Sequence, residues 1–393
     1  MKITTFRNLG ITKLFKEFYE SEKTAGILLI ICTAISMILA NSAFGPEYLN
    51  FWQYKIGFTT DAVKLYYPVY YWINDGLMAI FFLLIGLEIE REVYIGELSN
   101  FNVALFPIIA AAGGIIVPSL IHLSFNFGTD TQSGMAIPMA TDIAFALGIL
   151  SLLGDKIPFR IKVFLTALAI VDDLGAIIII AVFYSKGFSL FYFGMAVVVF
   201  LILLLMNRKK VNLLYLYLIP GVFMWYFMLK SGVHATIAGV VLAFVIPFGK
   251  GDKDSISYKL QHGLHKPVAF LILPLFALAN TGIVFENDWY SGLLSMNSLG
   301  IMAGLMLGKP IGIFLFSFAA VKTGIVKSTD KIVWKNIFGV GVLAGIGFTM
   351  SIFITLLAFE RDSTIINSKI AILMSSLLAG TIGFFLLKMF NKK

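Results

Sequence analysis

The sequence predicts an all-α polytopic membrane protein of twelve transmembrane helices. Of 393 residues, 59% are hydrophobic and only 13% are charged, about half the charged fraction of a soluble domain. The apolar residues gather in runs near 20 residues long, the length a helix needs to cross a bilayer. The lysines and arginines alternate in density from one connection to the next, the pattern of positive-inside topology.

The predicted spans are 24–41, 70–90, 103–123, 134–153, 161–184, 188–206, 212–229, 232–248, 268–285, 297–320, 335–358 and 368–388. The first is too long for a signal peptide, and Glu17, Glu20 and Glu22 precede it. Ahead of it, "TKLFKEFYESEK" (12–23) has the pattern of a short amphipathic helix on the membrane surface. The second span carries Asp75 in its first third and ends in Glu88, Glu90, Arg91 and Glu92, with Glu88 sharing a helix face with Arg91 and Glu92. The third ends at His122. The fourth, "GMAIPMATDIAFALG", sets Thr141 and Asp142 just after Pro138. A missing N–H followed by a hydroxyl and a carboxylate suggests a broken helix. The fifth holds Asp172 and Asp173 at its middle, the sixth and seventh are plainly apolar, and the eighth starts at His234. His262 and His265 lie in the loop 249–267 before the ninth, and Lys309 lies deep in the tenth. The eleventh, "GVGVLAGIGFTMSIF", is glycine-rich and contains Thr349, which marks a second break.

With both termini cytoplasmic, 23 of the 30 lysines and arginines fall on the inner side and six on the outer, Lys309 being intramembrane. The chain therefore reads as one membrane domain, 1–393: a cytoplasmic segment 1–23, a bundle 24–388 and a cytoplasmic tail 389–393. The net charge of +8 is spread over the connections and forms no aromatic-interleaved patch, which excludes a nucleic-acid partner. Cys32 is the single cysteine, which excludes an intrachain disulfide or a multi-cysteine metal site.

A charged side chain at a helix centre costs about 2.5–3.5 kcal/mol on insertion scales, so acids kept at depth are functional candidates. Side chains of adjacent helix residues diverge by about 100°. One of Asp172 and Asp173 can therefore face a cation on another helix while the other faces a water-filled cavity. Burial and mutual repulsion oppose ionising both, so the pair titrates as a coupled unit. It can hold a proton or a small cation, but not both at once. A lone ammonium at the depth of Lys309 needs a carboxylate, and Asp172 is the expected partner. Asp142 beside a break can neutralise helix N-termini. Two broken spans in separate halves point to a transporter with an inverted repeat. The four histidines change charge in the range where a regulated transporter switches, while His262 and His265 lack the companions of a zinc site.

The segments "LTALAIVDDLGAIIIIAVFY", "AIPMATDIAFALG", "WINDGLMAIFFLLIGLEIERE", "LKSGVHATIAG", "LILPLFALANTG", "GKPIGI" and "GIGFTMSIFI" together resemble the signatures of the NhaA family of sodium/proton antiporters, from the second span to the eleventh. The inverted repeat, with the fourth and eleventh spans broken and crossing, is a known property of that family. The resemblance implies a secondary active transporter, not an enzyme, that exports Na⁺ or Li⁺ in exchange for protons, two per cation, in pH and sodium homeostasis. It implies that Asp173 is the principal cation ligand and that Asp172 pairs with Lys309. Thr141 and Asp142 would adjoin the ion site, and Thr349 would lie in the matching break, with Asp75 in support. Glu88, Arg91, Glu92, His234, His262 and His265 would tune the pH response. Tyr258 and Gln261 depart from the family pattern, which has Lys and Glu at these places. The implied setting is the bacterial inner membrane, in contact with lipid, as a homodimer joined through the outer connection 42–68. No cofactor is implied.

Two other classes fit less well. An organic-solute carrier would need a larger polar lining. An intramembrane enzyme would need facing acids or an aspartate-rich Mg²⁺ motif, and position 176 is Ala.

Overall fold

Backbone polar groups in a hydrocarbon interior have no partners but one another, so long apolar runs close their hydrogen bonds as helices. The computed structural model describes residues 11–60, 64–185, 187–285, 288–326 and 333–392, and helix dominates them. Of the lysines and arginines counted above, Lys2, Arg7, Lys186, Lys327, Lys331 and Lys393 lie outside these residues, as does the whole of the segment 1–10.

In chain order, α1 spans Ile11–Ala40 and α2 Gly45–Gln53. Strands β1 (Lys55–Thr59) and β2 (Lys64–Pro68) pair antiparallel, with Lys55 opposite Pro68. Helices α3 (Val69–Tyr94) and α4 (Phe101–Asn126) follow. A 3₁₀ segment, Gln132–Met139, leads into α5 (Ile143–Leu152) across a non-helical break. Next come α6 (Phe159–Phe183), α7 (Leu190–Arg208), α8 (Tyr215–Ser231), α9 (Ile237–Ala243), α10 (Ile256–Asn280) and α11 (Met296–Lys322). The last three are α12 (Trp334–Ala344), α13 (Phe348–Ala358) and α14 (Asp362–Phe390). Among the described residues, eight helices are long and apolar enough to cross a membrane, or up to ten if each of two bent pairs is one span. One pair is Thr24–Ala40 with α2, bent by 114°, and the other is α12 with α13, bent by 47°. The predicted spans 212–229 and 232–248 coincide with α8 and α9, which at 17 and 7 residues are shorter.

Three local features differ from the sequence reading. The stretch 12–23 is not a separate short helix; its backbone continues into the first span as α1, with no proline to interrupt the run before Pro46. The loop expected over 249–267 is shorter, because α10 begins at Ile256 and so carries His262 and His265 as helical residues. Ser255 starts that helix by accepting from the Tyr258 N–H, and the first turns were too polar for a hydropathy window to include. The connection 42–68 contains α2 and the hairpin, which is tied to the bundle where Trp72 Nε1 donates to the Ile56 carbonyl at 3.1 Å.

Packing brings the site together. At the α4–α11 crossing, a Cβ on Gly113 would strike the Gly312 carbonyl, and a Cβ on Gly312 would strike that of Gly113. Such small-residue contacts let membrane helices approach closely. The main apolar core joins residues of α1, α3, α5, α6, α10, α12 and α13. A second, centred on Leu83, Tyr217, Met224 and Leu242, packs α7, α8 and α9 onto α3. Apolar side chains such as Ile38, Leu190, Phe191 and Leu377 face outward, as a lipid-facing surface requires.

Candidate functional site

Three departures from regular helix meet at the middle of α6. The first is in α11. Pro310 has no N–H, so the ladder one turn earlier loses a donor. Residues Gly304–Gly308 widen there into a π-helical segment, and Lys309 follows it. Lys309 is fully buried, and its Nζ donates to Asp172 Oδ2 at 2.5 Å. The second departure is the break before α5. Thr141 Oγ1 lies 2.8 Å from the same Asp172 oxygen and 2.9 Å from the Ala344 carbonyl. The third is the break between α12 and α13, where that carbonyl ends α12.

Asp142 binds the two breaks to each other. Its Oδ1 accepts from the Phe145 N–H at 2.9 Å and caps α5. Its Oδ2 accepts from the Thr349 N–H at 3.1 Å and the Thr349 hydroxyl at 2.5 Å. The Asp142 N–H donates to the Ile346 carbonyl at 2.7 Å. One carboxylate thus serves the first turns of two half-helices, where orphan N–H groups and the helix dipole favour negative charge.

Asp173 is 2% exposed and lines a cavity of about 50 Å³ with Thr141, Asp142, Thr349, Glu88 and His265. That space matches one or two water molecules. Asp172 Oδ1 and Asp173 Oδ1 are both buried without a hydrogen-bond partner. A buried carboxylate oxygen left unmatched is costly, and a proton or a small cation would remove the cost. The surrounding oxygens are hard donors of the kind that suit Na⁺ or Li⁺ better than a soft metal.

The structure therefore brings Asp172, Asp173, Lys309, Thr141, Asp142 and Thr349 together, with Glu88 and His265 on the same cavity. Other predicted residues lie apart. Asp75 sits in the π-helical stretch Trp72–Leu77, about 20 Å along α3 from Glu88. His234 Nε2 lies 2.9 Å from the Tyr184 carbonyl, just past the far end of α6. Arg91 donates to Gln261 Oε1 at 3.4 Å and lies 5.1 Å from the Tyr258 ring centre, while His262 stacks on that ring. Tyr258 and Gln261 thus both contact Arg91. Glu92 is half-buried one turn beyond Glu88, and neither it nor Arg91 lines the cavity.

Sequence reasoning missed two serines. Ser351 Oγ donates to the Ile137 carbonyl at 2.7 Å, and Ser376 Oγ accepts from the Phe348 N–H at 3.1 Å. Ser351 stands two residues after Thr349, so the suspected break gave some hint of it. Nothing local marks Ser376, on a different helix.

The family model described as Na+/H+ antiporter 1 matches residues 16–387. The chain is 61% identical over 380 residues to the Na(+)/H(+) antiporter NhaA of Flavobacterium psychrophilum, covering 97% of each chain. It is 58% identical over 385 residues to the Na(+)/H(+) antiporter NhaA of Cytophaga hutchinsonii, covering 98% of this chain and 97% of that one. With that of Yersinia pestis the identity is 49% over 383 residues, 96% of this chain and 97% of the relative. The apolar helices and these relatives together make the chain a multi-pass membrane protein.

Proposed function

Since the chain belongs to the Na+/H+ antiporter 1 family, we propose that it is a secondary active transporter exchanging Na⁺ or Li⁺ for protons. The observation that carries this reading is the pair of buried, unmatched oxygens on Asp172 and Asp173 beside the Lys309 ammonium. Asp173, on the cavity, is the principal cation ligand, and Thr141 and Asp142 complete its surroundings. Asp172 holds Lys309 while ionised and releases it on protonation. Sodium entering from inside displaces protons; a change of access exposes the pair to the outside, where protons displace sodium. Two protons per Na⁺ make the exchange electrogenic. No cofactor takes part, since the cycle makes and breaks no covalent bond other than those to protons.

The same reading supplies the setting. The chain is one transporter domain of twelve spans in an inverted repeat, the two broken spans crossing beside α6. It lies in the bacterial inner membrane with both termini cytoplasmic, in keeping with the charge asymmetry of its connections. Two copies associate through 42–68, where α2 and the hairpin lie. Glu88, Arg91, Glu92, His234, His262 and His265 tune the pH response, Glu88 and His265 from the cavity itself, and Asp75 and Thr349 support transport.

The test is proton movement in proteoliposomes held under a pH gradient. Adding Na⁺ or Li⁺ alone should dissipate the gradient, and K⁺ should not. A gradient that responds only to an organic solute would overturn the proposal.

A further inference from the structure

The first turn of α13 has two backbone N–H groups capped by side chains from two different elements. Helix N-termini leave such donors without partners inside the helix. Thr349 N–H goes to Asp142 Oδ2, from the break before α5. Phe348 N–H goes to Ser376 Oγ, from the middle of α14. Phe348, Thr349 and Ser376 are all 3% exposed or less, and Ser376 is not among the residues lining the cavity.

These two caps share one task. Asp142 Oδ2 already accepts from both the N–H and the hydroxyl of Thr349, and its Oδ1 is taken by Phe145. Its carboxylate is held where it is by donors on either side, and it lines the cavity with Asp173. Without Ser376, the Phe348 N–H would be a buried donor with no partner, one residue from Thr349. Asp142, which already accepts from the next N–H of the same turn, is the charged acceptor at hand. A charged acceptor outcompetes neutral ones for a spare donor, so Asp142 would be drawn toward α13 and away from the Phe145 N–H and the cavity.

We propose that Ser376 is a positioning residue for Na⁺ binding: by capping Phe348 it leaves Asp142 free to stay on the cavity wall. The inference rests on the exchange reading above, which makes that cavity the cation site. Ser376 itself touches no ion. Its effect passes through Asp142.

The experiment is Na⁺ binding by calorimetry to the purified full chain in detergent, which requires no turnover. Ser376→Ala should weaken Na⁺ affinity about fivefold, the worth of one neutral hydrogen bond. Ser376→Thr, which keeps the hydroxyl, should stay within about twofold of wild type. In a double-mutant cycle, Ser376→Ala should add little once Asp142→Asn is present, because both act on one group. Ser376→Gly carries the same expectations if Ser376→Ala is not obtained folded. Unchanged affinity in Ser376→Ala, a Thr variant as weak as Ala, or effects of Ser376→Ala and Asp142→Asn that simply multiply would each overturn the inference. A wild-type protein that binds no Na⁺ would instead overturn the exchange reading itself.

Discussion

Lys309 and Asp172 depend on each other. Each is buried, and each would be an uncompensated charge without the other. Removing one partner of a buried pair costs about 3–5 kcal/mol, more than the pair is worth as a whole. Lys309→Met should therefore lower the melting temperature in detergent near neutral pH, and Asp172→Asn in the same chain should recover part of the loss. The sign with pH follows from which form needs the ammonium. The pair stabilises only while Asp172 is ionised, so the gap between wild type and Lys309→Met should narrow as pH falls. A gap that widens in acid would contradict the pairing. The residue types at this site were legible in the sequence because acids and a lysine at membrane depth are rare and costly. Their division of labour was legible only through the family resemblance: adjacency makes Asp172 and Asp173 diverge without saying which one meets Lys309, and the contacts from α11 and the Thr141 break show that it is Asp172.

At the scale of elements, the crossing of α4 and α11 sets where Lys309 stands, since Gly312 is three residues beyond it and touches Gly113. A methyl group at Gly113 meets backbone, which cannot move aside as a flexible side chain would. Gly113→Ala should cost about 1–3 kcal/mol as overpacking and depress the melting temperature. Gly194, in α7, has open space where a Cβ would go, so Gly194→Ala should be neutral or raise stability by up to about 1 kcal/mol through helix propensity. Equal effects at the two positions would show that the crossing is not tight. The long apolar helices were readable from hydropathy alone, and the Pro138 and Gly345–Gly347 neighbourhoods marked the breaks. The early start of α10 and the hairpin were not readable, because polar first turns and five-residue strands give weak periodicity. Ser376 was invisible for another reason: its partner is a backbone N–H on another helix, 28 residues away.

For the whole molecule, the broken helices, the α4–α11 contact and the cavity converge on one set of oxygens around Asp173. The central claim is that protons and Na⁺ compete for those oxygens. Competition makes binding of one release the other, so Na⁺ affinity should rise with pH as protons become scarce. The most direct test counts protons released per Na⁺ bound, by calorimetry in buffers of different ionisation enthalpy, for wild type and Asp173→Asn. Wild type should release protons, with affinity changing about tenfold per pH unit for each competing proton, and Asp173→Asn should lose most of its Na⁺ binding. Wild-type binding without proton release, or an Asp173→Asn protein that binds Na⁺ with undiminished affinity, would contradict the account.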